Sequence, residues 1–486
     1  MTMNLKPYPA YKDSGVPWLG QVPEHWQVLR LKRVAQLNPS RAEARDALDS
    51  GAQVTFLPME RVGADGRVDA RDMRPIASVW HGFTYFRRGD ILLAKITPCF
   101  ENGKGAWLAS LPTRVGFGST EFTVLRAGPQ IRASYLYRVT TIPEFRRLGA
   151  DAMVGAAGQQ RLPAAFVANF LIPVPDLDEQ SAITRFLDHA DRRIRRYIRA
   201  KRQLIALLNE QKQAIIERAV TRGLDPHVRL KPSGVAWLGD VPEHWEFLPL
   251  KSLARIQSGV TLGKEYPSRQ LVELPYLRVA NVQDGRLDLS DIKTVLVPEE
   301  EAARSTLQVG DVLMTEGGDP DKLGRGCVWD GQISRCLHQN HIFAVRPRPD
   351  RLLPRFLAAL LASQYAKTYF LRTGKQTTNL ASTNKATIGR FPVLLPSLRE
   401  QAELLEAIRV ETEHVDRAIA ATEAELARIR QYRTRLISDV VTGKLHVREA
   451  AARLPEETCQ EEEAAEVEDV ETDDAVEPDE DAEMDG

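Results

Sequence analysis

A thirteen-residue phrase occurs twice in this chain. Ser14-Gly-Val-Pro-Trp-Leu-Gly-Gln-Val-Pro-Glu-His-Trp26 returns 219 residues later as Ser233-Gly-Val-Ala-Trp-Leu-Gly-Asp-Val-Pro-Glu-His-Trp245, with eleven positions identical. Compositional bias does not produce such agreement, so the chain reads as two tandem copies of one large module. The period is far longer than a solenoid repeat, and each copy has enough residues to bury its own core.

The correspondence extends beyond the phrase. Leu31-Lys32 answers Leu250-Lys251, and Arg88-Gly-Asp-Ile-Leu-Leu93 answers Val309-Gly-Asp-Val-Leu-Met314. Each copy closes on a proline-bearing apolar segment and a Glu-Gln pair, Glu179-Gln180 and Glu400-Gln401. Long helical patterns follow, ending in Val220-Thr-Arg-Gly-Leu224 and Val441-Thr-Gly-Lys-Leu445. The middles agree much less. Gly-Asp-Pro-Asp-Lys322 finds no close counterpart around Thr97-Pro-Cys-Phe-Glu-Asn102, and the segments before the closing prolines read as different in length and chemistry. A duplicated frame carrying unlike inserts suits two different recognition surfaces held in one geometry.

Short β-prone runs separated by Gly, Asp and Pro turns predict mixed α/β globular parts over 27–176 and 246–397. Val54–Leu57, Ile91–Ala94 and Glu121–Leu125 read as strands of the first; Leu274–Val279, Asp311–Met314 and His341–Val345 read as strands of the second. Helices are expected near Ala133–Arg147 and Leu353–Arg372. Over about 180–220, Leu187, Ala190, Ile194, Tyr197, Lys201, Leu204, Leu208, Gln211 and Ile215 follow steps of three and four, a coiled-coil seam. Ile408, Thr412, Val415, Ile419, Thr422, Leu426, Ile429, Arg433, Leu436 and Val440 keep that spacing in the second copy. Each helix would run roughly 55 Å. An apolar stripe of that length needs a partner. Antiparallel pairing of the two copies would give an approximate two-fold relation, with globular parts at opposite ends of a rod; dimerisation between separate chains is the alternative.

The 486 residues carry a formal net charge of −1, which conceals an asymmetry. From Glu456 onward there are 17 acidic residues and no Lys or Arg, so residues 1–455 hold all 65 basic side chains against 49 acidic ones. A body near +16 favours a polyanionic partner. The tail, within 448–486, reads as a disordered, solvated segment that could screen DNA contacts or bind a basic surface. No apolar run is long enough to cross a bilayer and no secretory leader is legible, so the expectation is a cytoplasmic protein. Cys99, Cys327, Cys336 and Cys459 lack metal-binding spacing and read as reduced thiols.

The densest basic run is Arg192, Arg193, Arg195, Arg196, Arg199, Lys201 and Arg202. It would suit phosphates of a duplex, or equally a solvated or partner-docking helix face. Lys95, Lys104, Lys322, Arg325, Lys375, Asn379, Asn384 and Lys385 fall in or beside turns at the rims of the globular parts, with Gln159, Gln160 and Arg161. Arg and Lys address guanine and Asn or Gln address adenine, so these are candidate DNA-binding residues. Gly103-Lys104-Gly105 and Gly374-Lys375-Gln376 do not complete a phosphate loop. No motif for adenine methylation and no nuclease-like cluster of carboxylates with Lys is present; no catalytic, cofactor or metal residues are assigned. His25 and His244, with no obvious partner, read as structural, and Trp18, Trp26, Trp237 and Trp245 as large apolar anchors.

These phrases, together with Ile96-Thr-Pro-Cys-Phe-Glu-Asn-Gly-Lys104 and Ile172-Pro-Val-Pro175 leading to Glu179-Gln180, resemble the specificity subunit of bacterial type I restriction–modification enzymes over roughly residues 9–447. The resemblance implies a non-catalytic subunit with two target recognition domains, 27–176 and 246–397. Lead-in segments at 1–26 and 225–245 would precede them. Helical regions at 177–224 and 398–447 would form an antiparallel coiled coil that docks two methyltransferase subunits. Each domain would read half of an interrupted target in double-stranded DNA. S-adenosylmethionine, ATP and Mg2+ would belong to the partner methyltransferase and restriction/translocase subunits, and no membrane is involved. A coiled-coil DNA-binding adaptor without a modification partner, or a self-contained nuclease or methyltransferase, are the competing classes.

Overall fold

The computed structural model describes residues 5–156, 158–264, 266, 270–283, 285–318, 324, 326–376 and 381–455. The chain divides into two compact units, 1–199 with 426–486, and 200–425. Each is a mixed α/β body joined to parts of two long helices, Leu177–Arg222 and Leu398–Val441.

In both units the repeated phrase closes the module. The strand following it, Gln27–Arg30, pairs antiparallel with Leu171–Val174, the segment just before the first Glu-Gln pair. Glu246–Pro249 pairs in the same way with Pro392–Leu395. This brings His-Trp onto the Glu at the start of each long helix. His25 Nε2 lies 2.8 Å from Glu179 Oε2 and Trp26 Nε1 donates to it at 3.0 Å. His244 Nε2 lies 3.0 Å from Glu400 Oε2, while Trp245 Nε1 donates to Oε1 at 2.9 Å. The neighbouring glutamines are saturated alike: Gln180 Nε2 donates to the Gln130 and Pro175 carbonyls, and Gln401 Nε2 to those of Arg351 and Pro396. The Asp176 and Ser397 side chains accept from the Glu179 and Glu400 amides, capping the helix starts.

The unlike middles share more than their residues suggest. A four-stranded antiparallel sheet, Ala35–Leu37, Phe122–Ala127, Ile91–Ala94 and Gly105–Trp107, recurs in the same order as Ala254–Ser258, Ile342–Pro347, Val312–Thr315 and Gly326–Val328. In each, the aspartate of the repeated Gly-Asp is buried and forms a bidentate pair: Asp90 with Arg126 and Asp311 with Arg346, all four contacts at 2.7–2.8 Å. Parallel pairing of Thr55 with Gly116 is matched by Tyr276 with Leu337, and the bridge Ile96–Arg161 by Gly317–Ser382. Both pairs keep one offset of 221 residues. The expectation that the closing segments differ in length is therefore corrected. Their chemistry differs while their backbone register does not, because pairing depends on main-chain groups that every residue carries.

The expected single helices are each two. Ala133–Thr140 and Pro143–Asp151 are separated at a proline that begins the second, and Pro354–Ala362 ends where Ser363 caps Gln364–Thr373. The long helices pair with each other antiparallel. In one unit Asp191 meets Arg433; in the other, Lys201, Lys212 and Arg218 meet Glu425, Asp416 and Glu411 in reverse order. The apolar stripe is thus covered within the chain. Thr412, Val415, Thr422, Leu426, Leu436 and Val440 are buried as expected, but Tyr197 and Leu204 are exposed while Ile198 and Ile205 are half-buried. Around Tyr197 and Leu204 the first helix turns its stripe one residue from the expected seam, and Asp191 faces Arg433.

The clasp is not equally protected in the two copies. Glu179 is buried and also accepts from Tyr8 Oη at 2.8 Å, whereas the Glu400 side chain is 26% exposed. Glu179→Ala should therefore cost about 3 kcal/mol in urea unfolding followed by Trp fluorescence, and Glu400→Ala about 1 kcal/mol. Equal losses would contradict this ranking.

Candidate nucleic-acid interface

In the first copy the structure gathers Lys95, Lys104, Gln159, Gln160 and Arg161 around one pair of loops. The Lys95 carbonyl accepts from the Leu162 amide at 2.7 Å, and the Gln160 carbonyl from Thr97 at 3.0 Å. Arg161 bridges to both Ile96 and Val154. Lys104 closes the intervening turn, its amide donating to the Cys99 carbonyl at 2.9 Å. Gln159 and Arg161 are exposed; Lys95, Lys104 and Gln160 are half-buried. Arg161 is already engaged by Glu121, to which Nη2 donates at 2.8 Å. That pairing holds the Glu121 carboxyl below its ordinary range, the Arg161 hydrogen bond being the main cause.

The corresponding place in the second copy is a three-stranded ribbon, Gly317–Gly318, Ala381–Ser382 and Lys375–Gln376. It sets Lys375 opposite Ser382, which pairs on its other side with Gly317. Asn384 serves the fold directly: its side chain accepts from the Thr387 amide at 2.9 Å and caps the helix Lys385–Arg390. Lys385 stands exposed at the start of that helix. Lys322, Arg325 and Asn379 lie outside the described residues.

On the first long helix, Arg193 and Arg196 are exposed and Arg192 is half-buried. This helix also lines a cavity of 850 Å³, with Arg67, Tyr137, Arg138, Arg146, Arg195 and Arg433 in its walls. Desolvation lowers the pKa of Arg146, and Arg433 lowers it further. Desolvation likewise lowers that of Arg195, partly opposed by Asp191. Asp191 anchors this region by accepting from Arg138 Nη1 at 2.6 Å and Arg433 Nε at 2.9 Å. Burial would raise its carboxyl, but the two guanidinium groups hold it down at about 2.

Sequence reasoning missed the partner of His25 and His244. The signal was available, because His-Trp and Glu-Gln are both duplicated and the same Glu receives both side chains in each copy. Of the tryptophans, Trp26 and Trp245 are buried and Trp18 stacks on Phe170 at 5.1 Å. Trp237 is exposed, which corrects its reading as a buried anchor. The aromatic equivalent to Phe170 is Phe391, which stacks on Phe370 instead, and the Arg372 guanidinium lies over the Trp237 ring at 4.8 Å. Among the described residues, no group of three or more His, Cys, Asp or Glu is placed to hold a metal ion, and Cys99 and Cys336 are free thiols. Burial pushes Cys336 up to about 12. No described helix is long and apolar enough to cross a membrane.

Curated relatives agree on one kind of protein. The specificity subunit of the type I restriction enzyme EcoAI from Escherichia coli is 36% identical over 181 residues, covering 37% of this chain and 30% of that protein. The EcoKI specificity subunit of Escherichia coli strain K12 is 24% identical over 443 residues, 88% of this chain and 90% of its own length. The chain is similar to type I restriction enzyme specificity subunits. Its aligned region spans about a third or less of the EcoAI and EcoEI subunits. The fold agrees with a chain in the structure described as "Structural basis underlying complex assembly and conformational transition of the type I R-M system", at a TM-score of 0.62, 17% identity, and coverage of 87% of this chain and 99% of that one. No family model matches the sequence.

Asp191 gives this region a pH signature. Its folded pKa lies below the ordinary 3.8, so its stabilisation is complete above about pH 4 and is lost as pH falls towards 2. The stability difference between the unaltered chain and Asp191→Asn should shrink by roughly 2 kcal/mol between pH 5 and pH 2.5. A pH-independent difference in urea titrations would contradict the assignment.

Proposed function

We propose that this chain is the non-catalytic, sequence-reading subunit of a type I restriction–modification complex. Residues 27–176 and 246–397 are its target recognition domains, and the long helices within 177–224 and 398–447 are its spacer and docking region for two methyltransferase subunits. The observation that carries this reading is one backbone frame repeated in register with unlike residues on it. Identical frames present each surface to DNA in an equivalent way. Unlike side chains make the two half-sites different, hence an asymmetric bipartite target.

The excess of positive charge before Glu456 supplies affinity that does not depend on sequence. Discrimination would come from the loop clusters: Lys95, Lys104, Gln159, Gln160 and Arg161 in the first domain, and Lys375, Asn384 and Lys385, with Lys322, Arg325 and Asn379, in the second. Arg192, Arg193 and Arg196 would meet phosphates. Methyl transfer from S-adenosylmethionine and ATP-driven cleavage would reside on the partner subunits, with Mg2+ there.

Mapping methylated adenines across the genome with and without this chain tests the reading. An interrupted, asymmetric motif should disappear on deletion, and an unchanged methylation map would overturn it. Adding one helical turn within 200–210 should change the tolerated gap between the half-sites while leaving both half-sites as they were; an unchanged gap would remove the spacer role.

A further inference from the structure

The cavity beside the first long helix carries more positive charge than its own carboxylates can balance. It lies wholly within the first unit, and its walls hold five arginines, Arg67, Arg138, Arg146, Arg195 and Arg433. Asp65 pairs with Arg67, while Asp188 and Asp191 take up Arg138 and Arg433. Arg146 and Arg195 are left over: among the described residues neither makes an ion pair or a side-chain hydrogen bond. Both are half-buried, and desolvation together with the neighbouring Arg433 lowers the pKa of each. A guanidinium withdrawn from water without a counter-ion is costly, so two in one cavity point to an anion from outside the chain.

The other copy has the same positions without this excess. Across the 221-residue offset that relates Glu179 to Glu400, Arg195 answers Asp416 and Arg433 answers Lys212. Those two pair at 2.6 Å. An opposite-charge pair in one unit is thus a like-charge pair in the other. Arg146 joins it from the helix Pro143–Asp151. Its guanidinium lies against Gly103, which has a φ of +79° and where a Cβ would collide with it, so the turn is shaped to admit the charge.

The remaining wall is of another kind. Val68, Trp107, Leu108, Leu111, Tyr137 and Ile437 supply apolar and aromatic surface, and the Trp107 residue is 37% exposed. The volume of 850 Å³ falls in the range of small-molecule sites, about 300–1,000 Å³, and is more than a bare oxyanion fills. Planar guanidinium groups match phosphate oxygens with paired hydrogen bonds.

We propose that this cavity binds a small phosphate-bearing molecule, its phosphate held by Arg146 and Arg195 beside Arg433 and its body lying against Trp107. The site is a property of the first unit and does not depend on the DNA-reading role proposed above.

The test is calorimetric titration of the full chain at low salt with inorganic pyrophosphate and with adenosine 5′-monophosphate. Both should bind saturably. Arg146→Gln and Arg195→Gln should each weaken both about ten-fold or more, whereas Lys12→Gln, which removes an exposed charge elsewhere, should change neither. Trp107→Ala should weaken the nucleotide about ten-fold and leave pyrophosphate as it was. The melting temperatures of the two arginine variants without ligand should not fall, because each loses a desolvated, repelled charge. No saturable binding, equal effects of Lys12→Gln, or loss of binding together with a lower melting temperature would each overturn the site. An unchanged nucleotide affinity in Trp107→Ala would overturn the placement of the body. A short duplex without target sites is titrated in parallel; if it alone shows the dependence on Arg146 and Arg195, the cavity serves the DNA backbone and the small-molecule site is overturned.

Discussion

Glu179 and Glu400 each bind a His-Trp pair contributed from more than 150 residues earlier in the chain. A carboxylate withdrawn from water needs its lone pairs satisfied, and indole and imidazole N–H groups are donors that bring large apolar area with them. One residue at a helix start thus fixes three things: where the long helix begins, where the globular module closes, and how the lead-in segment lies against both. The adjacent glutamines leave no freedom, since each amide is used by carbonyls and an amide of its own module. Everything between the His-Trp and the Glu can vary as long as the two ends meet.

What varies is the chemistry of the loops. Ile96 and Arg161 in one copy, Gly317 and Ser382 in the other, occupy matching ladder positions with little chemical resemblance. The buried Asp-Arg pairs hold the central sheets in both modules while the rims diverge. A buried ion pair of this kind is weak evidence for added stability but fixes orientation well, because removing either partner leaves an uncompensated charge. The electrostatics of the first unit follow the same logic. Asp191 draws together a guanidinium from the globular part and one from the second long helix, and the remaining arginines are left facing a cavity.

The long helices and the duplicated frame were legible because they rest on regular periods and repeated residues. The strands at Ile91–Ala94 and Gln53–Leu57 were readable from short apolar runs. Three features were not. The shared register of the unlike loops is written in main-chain hydrogen bonds, which leave no residue signature. The exposure of Tyr197 and Leu204 at expected seam positions is not carried by the three-and-four spacing, and neither is the ion pair of Asp191 with Arg433. The exposure of Trp237 and the stacking of Phe391 on Phe370 are side-chain arrangements that the repeated phrase does not carry. Residue type singled out Arg161 and Asn384 as candidates but carried no sign of their engagement by Glu121 and by the Thr387 amide.

The central claim is that the two modules are interchangeable in frame and distinct only in what they read. It is tested most directly by replacing residues 246–397 with a second copy of 27–176, joined at the matched strand ends, and mapping adenine methylation in a strain carrying the partner subunits. The account predicts a new bipartite target whose two halves are the same word in inverted orientation, with the original second half-site gone. Persistence of the original second half-site in that chimaera would contradict it.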